Sequence, residues 1–492
     1  MAMPDSPDRF KVTLFDASSD DLKLKDAFKL LRSHFLTFWI SGAALVLFVC
    51  SSVRHLWFKS TGFDLGIYDQ VVYLMSRGLP PISSYLGFHH MGNHSAYSVY
   101  PIALLYWIYP SVYWLLGVQA ICLALGALPT WLLARQAGLS QSLSSAMAGV
   151  YLLYPLIFNL NLFDFHPEVM ALPLMLGSLW AARAGKRIFY SLAILFVLGC
   201  KASLSLTIAA MGVWLLVFEK RRFFGIFALA AGVLWFLLTT QWIIPGLSGS
   251  EPAAIGRYGI LEGDSVLEMA VNLFLKPGVW LEKVFSIDTV RYLAIVLFPV
   301  IWNLSPRHMA PLVSTIPIVT LNILSANSMQ RELYSQYSLP VLPFLLLSMI
   351  DTLAVGEGLV RQRRWILLWS LIGFLWMGQW SWFTWSYKKS IETWAANREA
   401  IALIPKHEGA VVTDDFLSPH LSHRPQIFLF TPRNTKSHLK QADFFLFNLS
   451  HLNTKDMRER ANKIFRRVKQ DDRFELIYER DRVYLFKRQA TG

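Results

Sequence analysis

Charge is the scarcest ingredient of this sequence. Only 16% of its 492 residues are Asp, Glu, Lys or Arg, where a soluble domain carries about 25%, and this argues against an ordinary water-soluble enzyme. Cysteine is nearly absent. Cys50, Cys122 and Cys200 are odd in number, widely spaced and set in apolar stretches, which matches neither a disulfide framework nor a metal box. There is no phosphate-cradling glycine loop, kinase signature or nucleophile elbow, so ATP-driven transport by this chain alone is not expected. Repeats and low-complexity tracts are missing too. The first 34 residues are polar and mixed in charge, without the apolar core of a cleavable signal. The first apolar run is therefore expected to be a signal anchor behind a cytoplasmic tail of residues 1–35.

What is present in excess is apolar surface: 54% of residues, with a mean hydropathy of +0.39. It is clustered in runs at 35–58, 112–133, 188–218, 223–244 and 365–385, and about 20 such residues cross a hydrocarbon core. The expected fold is an all-α polytopic membrane body, residues 36–386, followed by a small external α/β domain at 387–492. Spans are expected near 36–57, 112–134, 142–160, 168–184, 223–244, 290–304, 309–325, 338–354 and 365–385. The run 188–218 is too long for one crossing and holds Lys201 near its middle, so two spans meeting at Lys201 bring the count to about eleven. The piece 97–109 is short and broken by Pro101 and Pro110, and reads as a re-entrant or interfacial helix.

The net charge of +13 calls for no nucleic acid. Arg135, Arg183/Lys186/Arg187, Lys220/Arg221/Arg222, Arg307 and Arg361/Arg363/Arg364 fall in alternate connections and outweigh Glu219 and Glu357, the pattern of cytoplasmic loops. This places the N-terminus inside, the C-terminus outside and a long external loop at 245–290. From Tyr387 on, strand-like runs at 410–412, 426–430, 443–447, 474–478 and 483–486 alternate with a helix-like one at 456–469, capped by Asn453/Thr454.

The unusual charges gather at the external side. Asp64 and Asp69 follow the first span, and five residues apart on a helix they are rotated by about 140° and cannot share a face. One is expected to act as base and the other to structure the helix, although an N-cap and a solvated residue explain both as well. His94 lies in a His-rich loop, and Asp164, His166 and Glu168 in the turn between two spans. Together they suit a divalent ion, a leaving-group proton or a phosphate, though no spacing is a metal box, and the metal and any cofactor stay open. Lys201 costs about 3 kcal/mol if left at a bilayer centre, which points to a cavity or to snorkelling. Arg257, Lys276 and Arg331 are further external cations. The tryptophans at 376, 380, 382 and 385 read as an interfacial belt.

Several stretches together resemble a family of bacterial predicted membrane proteins of unknown function grouped with the C-type glycosyltransferases. They are FDLGIYDQ at 63–70, GNHSAYSVYPIALLYWIYP at 92–110, FDFHPE at 163–168, Lys201, QYSLPVLPFLLL at 336–347 with Tyr337, and TDDFLSPHLSHRPQIFLF at 413–430. The resemblance implies a GT-C-like fold in the bacterial cytoplasmic membrane and transfer of a sugar from a polyprenyl-phosphate donor at the external face. By position the catalytic base is Asp64, with Asp69 second; His94, Asp164, His166, Glu168, Lys201, Arg257, Arg331 and Tyr337 bind substrate. The family pattern has two acids after the lysine, where this chain has Ala202 and Ser203, so activity is open. A transporter or lipid flippase, and a non-catalytic membrane scaffold, are the other classes. The glycan, lipid or protein acceptor is not specified.

Overall fold

The computed structural model describes residues 19–385, 387–430, 435–450 and 455–489. Among the described residues, four helices are long and apolar enough to cross a membrane: Phe35–Leu56, Tyr113–Gln136, Arg222–Ser248 and Ser328–Ala354. A fifth crossing forms if Gln141–Leu152 and Pro155–Asn161, bent by 42°, are taken as one. Eleven runs were expected. The others are helical but shorter than a full crossing: Glu168–Ala184 fills its expected run with 17 residues, while elsewhere proline and glycine interrupt the hydrogen-bond ladder where composition alone reads as continuous. Thus 290–304 holds the helix Ile287–Leu297, and 365–385 breaks at Gly378 between Arg363–Met377 and Trp380–Trp385. The long run at 188–218 is two helices, Arg187–Leu198 and Leu204–Val217, with Lys201 in the gap.

The segment at 97–109 forms a 12-residue helical piece, Tyr97–Ile108, too short to cross. It buries Ile102 and Tyr106 and presents Leu104, Trp107 and Ile108 outward. The stretch 245–290, expected as a loop, is largely helical, with Val266–Leu275 and Pro277–Val284 exposing Phe274 and Leu275. Helices Leu204–Val217 and Arg222–Leu238 pack at backbone distance. A Cβ on Gly212 would lie 2.4 Å from Leu229 N, so only small residues fit there.

The tail is a five-stranded sheet in the order Ile427–Leu429, Val411–Thr413, Phe444–Asn448, Val483–Arg488, Phe474–Arg480, with the first three strands parallel and the last two antiparallel to their neighbours. Alternation along the central strand sends Phe445 and Phe447 to one face, against Ile464 and Val468 of the helix Lys455–Lys469. Phe444 and Leu446 face the other way, against Ala396 and Ala400 of Lys388–Ala402. Asn453 and Thr454, the expected caps, lie outside the described residues.

One end of the body collects the basic connections. Arg183 forks onto both carboxylate oxygens of Asp351 and onto Glu219, each at 2.7 Å, and Glu357 receives Arg307 at 3.0 Å. Glu168 begins the helix that carries Arg183 near its other end, about 22 Å away by helical rise. Removing the guanidinium leaves two carboxylates without their cation in a largely enclosed position. Arg183→Ala is therefore expected to destabilise the protein by about 3 kcal/mol, read as a lowered unfolding midpoint in detergent, with Arg183→Lys recovering part of the loss.

Candidate functional site

At the opposite end, the first span runs into Trp57–Thr61 and then into a single wide turn, Gly62–Gly66, that carries Asp64. The turn between Asn161 and Glu168 lies against it. Here Asp164 has φ +87, a region that a non-glycine residue enters only when its surroundings hold it there. They do so through its carboxylate, which pairs with Arg54 and accepts hydrogen bonds from Thr61 N at 2.9 Å and Thr61 Oγ1 at 3.0 Å. Asp164 therefore faces the chain entering the Asp64 turn, and its oxygens are committed there.

Bending the backbone at Asp164 aims His166 at Asp64. Nε2 of His166 lies 3.4 Å from Asp64 Oδ1, while Nδ1 faces the Asp164 carbonyl at 3.3 Å. A carbonyl only accepts, so Nδ1 carries a proton, and the imidazolium form satisfies both neighbours. Burial opposes that charge, but Asp64 outweighs it and raises the His166 pKa. Burial likewise opposes ionisation of Asp64, yet His166, Arg54 and Lys201 together lower its pKa. The partly exposed carboxylate and the enclosed imidazole thus each favour the charged form of the other.

Two residues after His166, Glu168 forms an ion pair with Lys201. The lysine lies in the gap between the two helices of the 188–218 run, and its neighbour Ala202 donates its N–H to the His94 carbonyl at 2.9 Å. Burial and the charge of Lys201 push the His94 imidazole down to about 3, so it sits there neutral. Lys201 Nζ and Arg257 Cζ lie 5.5 Å and 5.6 Å from the centre of the Tyr337 ring, and Arg257 donates to Tyr337 Oη at 2.8 Å. Asp64, His166, Glu168, Lys201, His94, Tyr337 and Arg257 thereby gather in one cluster at one end of the body. Among the described residues, no group of three or more His, Cys, Asp or Glu is arranged to hold a metal ion.

Asp69 and Arg331 lie elsewhere. Asp69 is 1% exposed and accepts from Tyr106 Oη, from Ser422 Oγ and, at 3.1 Å, from His423 Nε2. It joins the body to the tail. Arg331 is spent on the carbonyls of Asn322, Ile323 and Ser325, at 3.2, 3.4 and 2.7 Å, where a helix ends.

All the motif stretches named above fall in one continuous match. The chain belongs to the family of predicted membrane proteins DUF2079. The match covers residues 54–485, so the DUF2079 unit begins at the arginine that holds Asp164 and ends in the last strand of the tail. No curated protein matches the chain. Among solved structures it is similar to ArnT from Cupriavidus metallidurans bound to undecaprenyl phosphate, at 11% identity and a TM-score of 0.42, covering 93% of this chain and 99% of ArnT. It is also similar to the archaeal oligosaccharyltransferase AglB from Archaeoglobus fulgidus, in complex with an inhibitory peptide and a dolichol-phosphate, at 12% identity and a TM-score of 0.39, covering 84% and 70%. At those scores the chemistry of this DUF2079 protein has to be read from its own residues.

Sequence reasoning missed Arg54, which reads as an ordinary charge at a span end, and Asp415 in the tail. It also left His423 without a role. Burial would lower the His423 pKa, but the charge and hydrogen bond of Asp69 raise it. The stability from this pair is fully present below about 6.5, the unfolded value, and is lost as pH rises through the raised folded value. Melting temperatures of wild type and His423→Gln measured from about pH 6 to about pH 9 should therefore converge toward the alkaline end. A constant difference would show that the pair does not titrate with unfolding.

Proposed function

We propose that this protein is an integral membrane glycosyltransferase that takes a sugar from a polyprenyl-phosphate donor at the external face of the bacterial cytoplasmic membrane. The body, 36–386, is read as about eleven crossings with the N-terminus inside, and 387–492 as an external domain. The donor class comes from the family resemblance; the observation that carries the reading is the convergence of one carboxylate, Asp64, with the cations Lys201 and Arg257 in one cluster.

In this reading an acceptor hydroxyl gives its proton to Asp64 as its oxygen attacks the anomeric carbon. The bond from that carbon to the phosphate oxygen breaks, and the lipid phosphate leaves with the electron pair. The donor is a phosphodiester with one negative charge, and the product a phosphomonoester that takes up a second. Asp64 and His166 neutralise each other, as do Glu168 and Lys201, so Arg257 leaves the cluster one positive charge in excess, which suits the donor. Charge developing on the leaving oxygen then falls beside Lys201 and Arg257, with Tyr337 Oη and neutral His94 as further hydrogen-bonding groups. The donor's hydrocarbon chain stays in the bilayer, which explains why the site is at a membrane face. A transporter is less well supported, because these charges collect at one end instead of lining a path through the body.

Transfer from a polyprenyl-phosphate sugar by the purified protein tests the reading. Asp64→Asn is expected to lose about 10²–10⁴ in kcat, while Asp69→Asn, away from the cluster, should retain a far larger rate in whatever fraction stays folded. Equal rates for wild type and Asp64→Asn would remove Asp64 as the base. The His166→Gln variant removes the charge that holds the Asp64 pKa down, so the acid limb of its rate–pH profile should move to higher pH. An unmoved limb would separate His166 from the ionisation of the base.

A further inference from the structure

The turn that presents Asp64 is held from two sides, and only one belongs to the membrane body. Thr61 N is taken by Asp164. The next two amides are taken by the tail: Gly62 N donates to the main-chain carbonyl of Asp415 at 2.8 Å and to its Oδ1 at 3.0 Å, and Phe63 N donates to the same Oδ1 at 3.2 Å. Three consecutive N–H groups, those immediately before Asp64, are thus pinned by two carboxylates from segments far apart in sequence.

The tail side is rigid in its own right. Asp414 accepts from Phe416 N at 2.9 Å and from Leu417 N at 3.0 Å, closing a tight turn around Asp415. Ser418 Oγ follows, donating to the Asp415 carbonyl at 3.2 Å. The surface is close enough to dictate sequence in the body, since a Cβ on Gly62 would stand 2.0 Å from Ser418 Oγ and 2.9 Å from the Tyr85 ring. One family match spans both partners of this contact.

We propose that the C-terminal domain completes the site, with Asp415 as the positioning residue that fixes the turn carrying the catalytic carboxylate Asp64. The word catalytic rests on the function proposed above; the cradle itself does not. Asp415 acts through the backbone and makes no contact with the reacting atoms. Burial and the nearby charges of Asp164 and Asp64 push its carboxyl up to about 6, which fits an acid enclosed with other acids because the contact requires it there.

The test uses the full chain in lipid nanodiscs and two readouts. The first is hydrogen exchange of peptides covering 59–66 and of peptides covering strands Val411–Thr413 and Phe444–Asn448. In Asp415→Ala, exchange at 61–64 is expected to rise about tenfold or more while the strands stay protected; Asp415→Asn, which keeps an acceptor oxygen, should restore most of the protection. The second readout is transfer kinetics, where Asp415→Ala should lower kcat by about 10–100-fold with the donor KM nearly unchanged, and Asp415→Asn should recover it. Unaltered exchange at 61–64 in Asp415→Ala overturns the proposal, and so does a rate loss carried by KM alone. If Asp415→Ala unfolds the tail, Gly62→Ala loosens the same contact from the body side; protection at 61–64 left intact there also overturns it. If exchange responds as expected but wild type transfers no sugar, the cradle stands and the functional reading falls.

Discussion

The ion pair between Arg54 and Asp164 ties the end of the first span to the turn between two distant helices, with both side chains almost wholly enclosed. Taking either charge out of water is costly unless the other is there and the remaining hydrogen-bonding capacity is filled. Asp164 meets that condition with Thr61, and in doing so holds its own backbone at φ +87. Two directions follow from this one constraint. The chain leaving the span is turned into the wide loop of Asp64, and the chain leaving Asp164 is turned so that His166 meets it. Glu168, two residues on, opens the next helix and reaches Lys201.

Charge is separated by task as well as by end of the body. At the basic end, Arg183, Asp351, Glu219, Arg307 and Glu357 tie connections together. At the other end the pairs are graded in exposure: Asp164 and His166 are enclosed, and Asp64 retains about a third of its surface, 34%. An ionised group that is supported from behind and open in front can receive a proton without the cost of being buried alone. Asp69 shows the contrast. It has the same chemistry a few residues away, but three donors surround it, and it serves as a joint between body and tail.

The residues themselves were conspicuous in the sequence because a charge beside an apolar run stands out. Lys201 in the middle of 188–218 marked the break between two helices, and the five-residue offset of Asp64 and Asp69 required them to face apart. Strands of the tail were legible as short apolar runs rich in aromatic residues, as in FFLFN at 444–448, which is buried at every position. Lys388–Ala402 was not, since the residues it buries, Ser390, Thr393, Ala396, Asn397 and Ala400, are small or polar and carry little hydrophobic signal. Counting apolar residues also overstated the long crossings. Composition registers the hydrocarbon environment, but where a helix stops depends on single prolines and glycines and on side chains such as Asn159, whose Oδ1 accepts the Gln379 N–H just past the break at Gly378. Arg54 and Asp415 were invisible for a different reason: each matters through a partner more than a hundred residues away.

The longest of those separations has a bearing on biosynthesis. Gly62 and Asp415 are 353 positions apart, so the amides before Asp64 acquire their second anchor only when nearly all of the chain has left the ribosome. Helices insert early and locally, whereas a contact of this sequence separation forms late. During synthesis the protein therefore passes through a stage in which its helices are in place and its carboxylate is already present, yet the geometry around it is unfinished. Docking of the final hundred residues is the step that separates an inserted chain from a mature one.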